Sequence, residues 1–160
     1  MSKSLRRVRA ALEAAGIDPD IRETALVRTA ADAARALACD VDQIAKSIVF
    51  RGEASGALYL FVTAGGRRVD TALAARLAGE GLGQAEAHLI RERTGFAIGG
   101  VAPVGHLERS PVFLDRRLLH FDEVWAAAGT PHHVFGISPA RLAEICSAQV
   151  SDFTASPKKM

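Results

Sequence analysis

Leu5, Val8, Leu12 and Ala15 recur at steps of three and four, with Arg6, Arg7, Arg9 and Glu13 between them. That is the pattern of an amphipathic helix with one buried face, and it predicts a helix from Ser4 to Ala15, ended by Gly16 and the turn Ile17-Asp18-Pro19. Residues 21–27 mix polar and apolar positions and read as an edge strand or an irregular lead-in. Thr29, with Asp32 three residues on, predicts an N-cap opening a helix from Ala30 to Ala38. Val41 to Ala45 add one more turn, and Ile48-Val49-Phe50 begins a strand that a polar turn over Arg51 to Gly56 joins to a second strand, Ala57 to Val62.

Gly65-Gly66 then breaks the chain, and Asp70 is placed to cap a helix from Thr71 to Ala78, closed by Gly79. A further helix is predicted over Glu86 to Thr94, a strand over Pro111 to Asp115, and a turn over Arg116 to Leu119. Phe121 to Ala128 fits either a short helix or a strand. His133 to Ile137 reads as a strand, Ser138-Pro139 as an N-cap with proline at the first helical position, Ala140 to Cys146 as the helix, and Gln149 to Phe153 as a last strand.

At 160 residues and 49% hydrophobic, the chain is sized for one domain with its own core; residues 1–153 are read as that domain and 154–160 as a disordered tail. Twenty basic and 18 acidic residues leave a net charge of +2, which argues against a protein that holds duplex DNA by charge alone. Cys39 and Cys146 lack the spacing of a structural zinc site and are read as buried free thiols, Cys39 in the core. No apolar run approaches the roughly 20 residues of a membrane span, so no membrane contact and a cytoplasmic location are expected.

Two features carry candidate chemistry. Lys46 is the sole lysine between Ser4 and Pro157, in a chain that otherwise uses arginine. Lysine is a compact charge that meets phosphate or shifts its pKa on burial, whereas arginine is a planar fork that stays charged. The predicted elements place Lys46 where a helix or turn hands over to a strand. A side chain with its stem on the core and its head in water is the plain alternative. The second feature is the run Phe96 to Gly105, in which Gly99, Gly100, Pro103 and Gly105 make four residues of ten. It predicts a shaped loop able to present backbone amides, or else an ordinary turn. A cation beside backbone amides suits an anionic group or a developing oxyanion.

Nucleophile and metal motifs are missing: there is no G-x-S-x-G elbow, H-E-x-x-H pair or G-x-x-x-x-G-K-[ST] loop. His132-His133 is the alternative base or metal pair, acting with Asp115 in one cleft. Neighbouring strand residues point to opposite faces, so at most one of the two histidines faces a pocket.

The segment Gln43 to Phe50 around Lys46, the loop Thr94 to Gly105, Val112 to Asp115, and Gly129-Thr130-Pro131 followed by Ser138 to Leu142 together resemble the YbaK/prolyl-tRNA synthetase-associated editing domains, in the same order over residues 29–153. The resemblance implies an α+β fold, a single domain with a mixed, strongly curved sheet, or partial barrel, and flanking helices. It implies a free-standing deacylase that removes a wrongly attached small amino acid (Cys, Ala, Ser or Thr) from tRNA in trans. Its partners would be the CCA end of the mischarged tRNA and an aminoacyl-tRNA synthetase. Lys46 would hold the terminal adenosine or its phosphate, and the Gly99 backbone would position the ester carbonyl or the attacking water. Ser47, Gly100, Pro103 and Thr130 would bind substrate. Neither metal nor cofactor is implied, because an aminoacyl ester is already activated and can be hydrolysed through positioning and electrostatics. A module with the same fold that binds tRNA or a nucleotide without turnover is the alternative.

Overall fold

The computed structural model describes residues 2–155. Its centre is a hairpin, β2 (Ile44–Gly52) and β3 (Leu58–Ala64), paired antiparallel from Ala45↔Ala64 to Arg51↔Leu58. Around it lie β1 (Asp20–Glu23), β4 (Leu82–Gln84), β5 (Val112–Asp115), β6 (Val124–Ala127), β7 (His133–Ile137) and β8 (Gln149–Ser151). They form one curved mixed sheet, open rather than closed, in the order β1-β7-β6-β2-β3-β5-β8, with β4 paired to β2. Five α-helices flank it among the described residues: α1 (Lys3–Ala14), α2 (Ala30–Leu37), α3 (Thr71–Ala78), α4 (Ala87–Thr94) and α5 (Pro139–Ile145). The expected α+β architecture is the one observed, and no helix among the described residues is long and apolar enough to cross a membrane.

The sheet is covered on both faces. Leu5, Val8 and Leu12 of α1 and Leu142 of α5 pack with Leu58, Leu60, Val62 and Phe96 in the main core. On the other face Phe61 stacks on Phe113 at 4.9 Å and meets Phe153 edge-on at 4.9 Å, with Ala74 of α3 beside them. Near-complete burial of these side chains is the main source of stability, at roughly 1.5–3 kcal/mol each.

The predicted caps form. Thr29 Oγ1 accepts from Asp32 N, Asp70 Oδ1 from Ala72 N and Leu73 N, and Ser138 Oγ from Arg141 N. Elsewhere the structure departs from the reading of the chain. Only Val41–Gln43 forms the extra turn, a 3-10 turn boxed by Asp40 and Gln43, so β2 starts at Ile44. Lys46 is thus inside a strand rather than at a junction. Of residues 121–128, Val124–Ala127 form strand β6 and none forms helix, and β1 occupies only the start of the lead-in. Strand β4 was not expected: Leu82-Gly83-Gln84 has no β-branched residue and pairs only because β2 offers it an edge. The tail expected from Thr154 begins later. Thr154 bridges Val69 and Ala155 N donates to Arg68 O at 2.8 Å, while residues 156–160 lie outside the described residues.

Glu80 fastens the hairpin turn from outside. Its carboxylate accepts from Ala54 N, Ser55 N, Ser55 Oγ and Tyr59 OH, which hold its pKa down to about 2 from the ordinary 4.5, Ser55 contributing most. A carboxyl whose folded-state pKa is depressed stabilises fully above its unfolded value and loses that contribution as pH falls through the folded value. Wild type should therefore melt above Glu80→Gln at neutral pH, and the gap should close between about pH 4 and about pH 2 in thermal scans.

Candidate functional site

Three strands pair with β2. Its first residues, Ile44 and Ala45, pair with β6, and its last, Phe50 to Gly52, pair with β4, both on the edge opposite β3. Neither covers Lys46 to Val49, so the sheet forks there. Gly52 N bonds Ala57 O, and Leu60 N and Ala64 N point away from β2 toward Pro111 O and Asp115 Oδ2. By antiparallel alternation the backbone amides of Ser47 and Val49 face into the fork. A cleft of about 910 Å³ opens at this point.

Residues from distant parts of the chain line this cleft: Lys46 and Ser47 of β2, Gln84 of β4, Ile98 and Gly99, Trp125 of β6, and Thr130 and His133. Lys46 and Ser47 leave β2 on opposite faces, as strand neighbours must. Ser47 lies with Ala45 and Val49 on the main-core side, Lys46 with Ile48 and Phe50 on the other.

Lys46 Nζ donates to Gly65 O at 3.2 Å and Arg67 O at 2.6 Å. Burial lowers its pKa first and the charge of Arg68 lowers it further, while Asp42 and Asp115 pull the other way. The turn that receives it is fixed from behind: Gly66 N donates to Asp42 Oδ1 at 2.9 Å, and Arg117 Nε bonds Asp42 Oδ2 at 3.0 Å. The Ser47 hydroxyl oxygen is buried and has no hydrogen-bond partner. A buried hydroxyl without a partner costs about 1–3 kcal/mol, so an atom in this state at a cleft wall is suited to a polar ligand group.

Gly99 occupies the third position of a turn closed by Gly100 N donating to Ala97 O at 3.0 Å, with φ +94°. A type II turn demands positive φ there. The closing bond uses the Gly100 amide, so the Gly99 amide is uncommitted, and nothing lies within 4 Å of where a Gly99 side chain would start. Gly100 is needed for a different reason: a Cβ on it would stand 3.0 Å from the Gly129 carbonyl carbon and oxygen and from Thr130 Cα. The loop is held at both ends by Arg7 of α1, whose Nε donates to Gly105 O at 2.8 Å and Nη2 to Gly95 O at 2.7 Å, with its guanidinium 4.5 Å from the Phe96 ring centre.

Thr130 Oγ1 accepts from His132 N at 3.1 Å and lies 2.7 Å from His133 Nδ1. If its one hydrogen goes to Nδ1, the proton of a neutral His133 sits on Nε2. Only His133 of the two histidines lines the cleft; His132 is exposed.

Other candidates are placed elsewhere. Pro103 is buried at a second cavity between α1 and α5, where its carbonyl accepts from Cys146 Sγ at 3.3 Å, so it shapes the loop from outside the cleft. Burial pushes the Cys146 thiol up to about 12. Cys39 is half-buried at the edge of a small cluster and lines no part of the cleft, a shallower position than expected. Asp115 is fully engaged by Ala64 N and Arg117 N outside the cleft, so the structure does not unite it with His133. The reading of the sequence passed over Trp125, Ile98 and the pair Arg67-Arg68. The arginines had a visible signal, two adjacent charges directly after Gly65-Gly66.

A forked, open α+β sheet brings a lysine, a glycine with an uncommitted amide and an unpartnered hydroxyl to one cleft, a set chemically suited to a polar, anionic group. Residues 24–145 match the aminoacyl-tRNA editing domain, and the chain belongs to that family. It is 31% identical over 122 residues, 76% of this chain and 77% of the other, to the uncharacterized protein YwhH of Bacillus subtilis strain 168. A crystal structure of a proposed trans-editing enzyme for prolyl tRNA synthetase superposes with TM-score 0.91 and 46% identity, covering 98% of this chain and 99% of that one. The hypothetical protein APE2540 superposes with TM-score 0.86 and 29% identity, covering 93% and 99%.

Proposed function

We propose that this editing domain is a deacylase acting in trans on tRNA that carries a small amino acid of the Cys, Ala, Ser or Thr class. The observation that carries the reading is the fork in the sheet, which collects Lys46, Ser47, Gly99 and Thr130 on one cleft. Lys46 anchors the phosphate or ribose of the terminal adenosine. A water adds to the ester carbonyl carbon, and the oxyanion that forms is met by the Gly99 amide. The bond to the ribose oxygen then breaks, that oxygen takes up a proton, and the products are the free amino acid and tRNA with its hydroxyl restored. Ser47 Oγ and the adjacent β2 amides hold the aminoacyl end; Thr130 orients His133 at the mouth. Gly100 and Pro103 keep the loop in place. The scheme needs neither a protein nucleophile nor a metal ion, and the protein's charge is sufficient for one single-stranded end.

The test is a panel of tRNAs mischarged with Cys, Ala, Ser and Thr, starting with tRNA charged by prolyl-tRNA synthetase because of the structural relative. Release of at least one amino acid, in catalytic amounts of protein, is the expected result. Tight binding of every charged tRNA with no release would favour the non-catalytic module; folded protein that neither binds nor releases would overturn both.

A further inference from the structure

On the face of β2 opposite Ser47 lies a further hollow, about 440 Å³, walled by Gly65 to Val69 and floored by Ile48 and Phe50. It shares Lys46, Ile48, Gly65 and Gly66 with the cleft, so the two spaces meet along the lysine. Lys46, Arg67 and Arg68 give it a positive rim. Among the described residues neither Arg67 nor Arg68 forms an ion pair with a carboxylate. Two acids, Asp42 and Asp115, act on Lys46 rather than pairing with either arginine; Asp42 also bonds Gly66 N and Arg117, and Asp115 accepts from Ala64 N and Arg117 N. The wall is also fixed at several points. Arg67 N donates to Ala64 O at 2.9 Å, Val69 bridges Thr154, and Arg68 O accepts from Ala155 N at 2.8 Å. A rigid groove with cations on the rim and half-buried aliphatic and aromatic side chains on the floor suits single-stranded nucleic acid, with phosphates on the rim and base faces on the floor.

We propose that this groove is a binding site for the nucleotides preceding the terminal adenosine, so that the acceptor strand leaves the cleft past Lys46 and runs between Arg67-Arg68 and Phe50. The proposal rests on the deacylase reading for the occupant of the cleft. Lys46 then stands at the last phosphodiester, between the nucleoside in the cleft and the strand in the groove. The groove reads phosphate and base stacking, not sequence, because no side chain on its floor offers a hydrogen bond to a base edge.

The test compares binding of the RNA trinucleotide CCA with that of AMP, by calorimetry across a salt series, for wild type and the exposed double variant Arg67→Ser/Arg68→Ser. Wild type should bind CCA at least about 10-fold more tightly than AMP. The variant should lose that advantage while keeping its affinity for AMP, and its salt slope for CCA should fall by about 0.7, the value for the one phosphate of CCA that Lys46 does not meet. An unchanged CCA affinity and slope in the variant would overturn the groove. So would an equal loss for CCA and AMP, which would move the arginines to the adenosine cleft, and so would wild type binding both probes alike. Because the readout is binding, failure here with the deacylation panel positive sinks the groove alone. A negative panel with the CCA result as expected sinks only the hydrolysis.

Discussion

Lys46→Met should lower deacylation by about 100-fold in kcat/KM, the scale expected when a group that positions the substrate is lost. Methionine keeps the unbranched stem that lies beside Ile48 and Phe50, so the packing of the cleft wall survives and the change is confined to the charge. What the fold loses is small. Nζ gives up bonds to Gly65 O and Arg67 O, the second of which is exposed and can turn to water. The burial that lowers the lysine's pKa is relieved at the same time. The net shift in stability should be within about 1 kcal/mol, checked by urea titration of both proteins. A variant with full activity would remove Lys46 from the mechanism and leave the family assignment standing. The wild-type pH profile supplies a second check. With the pKa of Lys46 lowered chiefly by burial and then by Arg68, activity should decline on the alkaline side before an ordinary exposed lysine would lose its proton.

Much of this arrangement was legible in the sequence where it depended on local chemistry. Three helix starts were readable because Thr29, Asp70 and Ser138 each satisfy a backbone N–H two or three residues ahead. Lys46 stood out by its isolation among arginines, and Gly99 by the density of glycine around it. The cleft itself was not legible. It exists because β2 pairs with β6 at its start and β4 at its end, strands that begin 80 and 38 residues after it does, and nothing in Ile44 to Gly52 announces that gap. The same long-range pairing placed Lys46 within a strand and sent Ser47 to the other face. Pro103 shows the converse: proximity in the chain to Gly99 suggested a shared role, yet four residues were enough to carry it through the core to the far cavity.

Gly100→Ala should cost about 10- to 100-fold in kcat/KM, although alanine is the smallest possible addition and the position needs no special backbone angle. The new methyl would stand 3.0 Å from three backbone atoms of Gly129 and Thr130. Neither side can yield easily. The Gly129 turn is backed by α1, since a Cβ at Gly129 would already come within 2.8 Å of Ser4 O. The loop is tied at Gly95 and Gly105 by the two bonds from Arg7. The displacement therefore falls on the stretch between those ties, which carries the Gly99 amide, and a shift of about 1 Å in a positioned group is enough for a loss of this size. Stability should drop by about 1–3 kcal/mol, as for other overpacked sites. Gly99→Ala separates the two roles of the loop. Its methyl meets open space, but φ +94° strains any side chain, so the turn must twist to accept it. If the Gly99 amide meets the oxyanion, Gly99→Ala should lower kcat with KM nearly unchanged, whereas Gly100→Ala, by moving the cleft wall as a whole, should change both. Steady-state kinetics on the amino acid released most rapidly decides the matter: a Gly100→Ala protein with wild-type parameters would show that spacing between the loop and the Thr130 turn does not control the reaction.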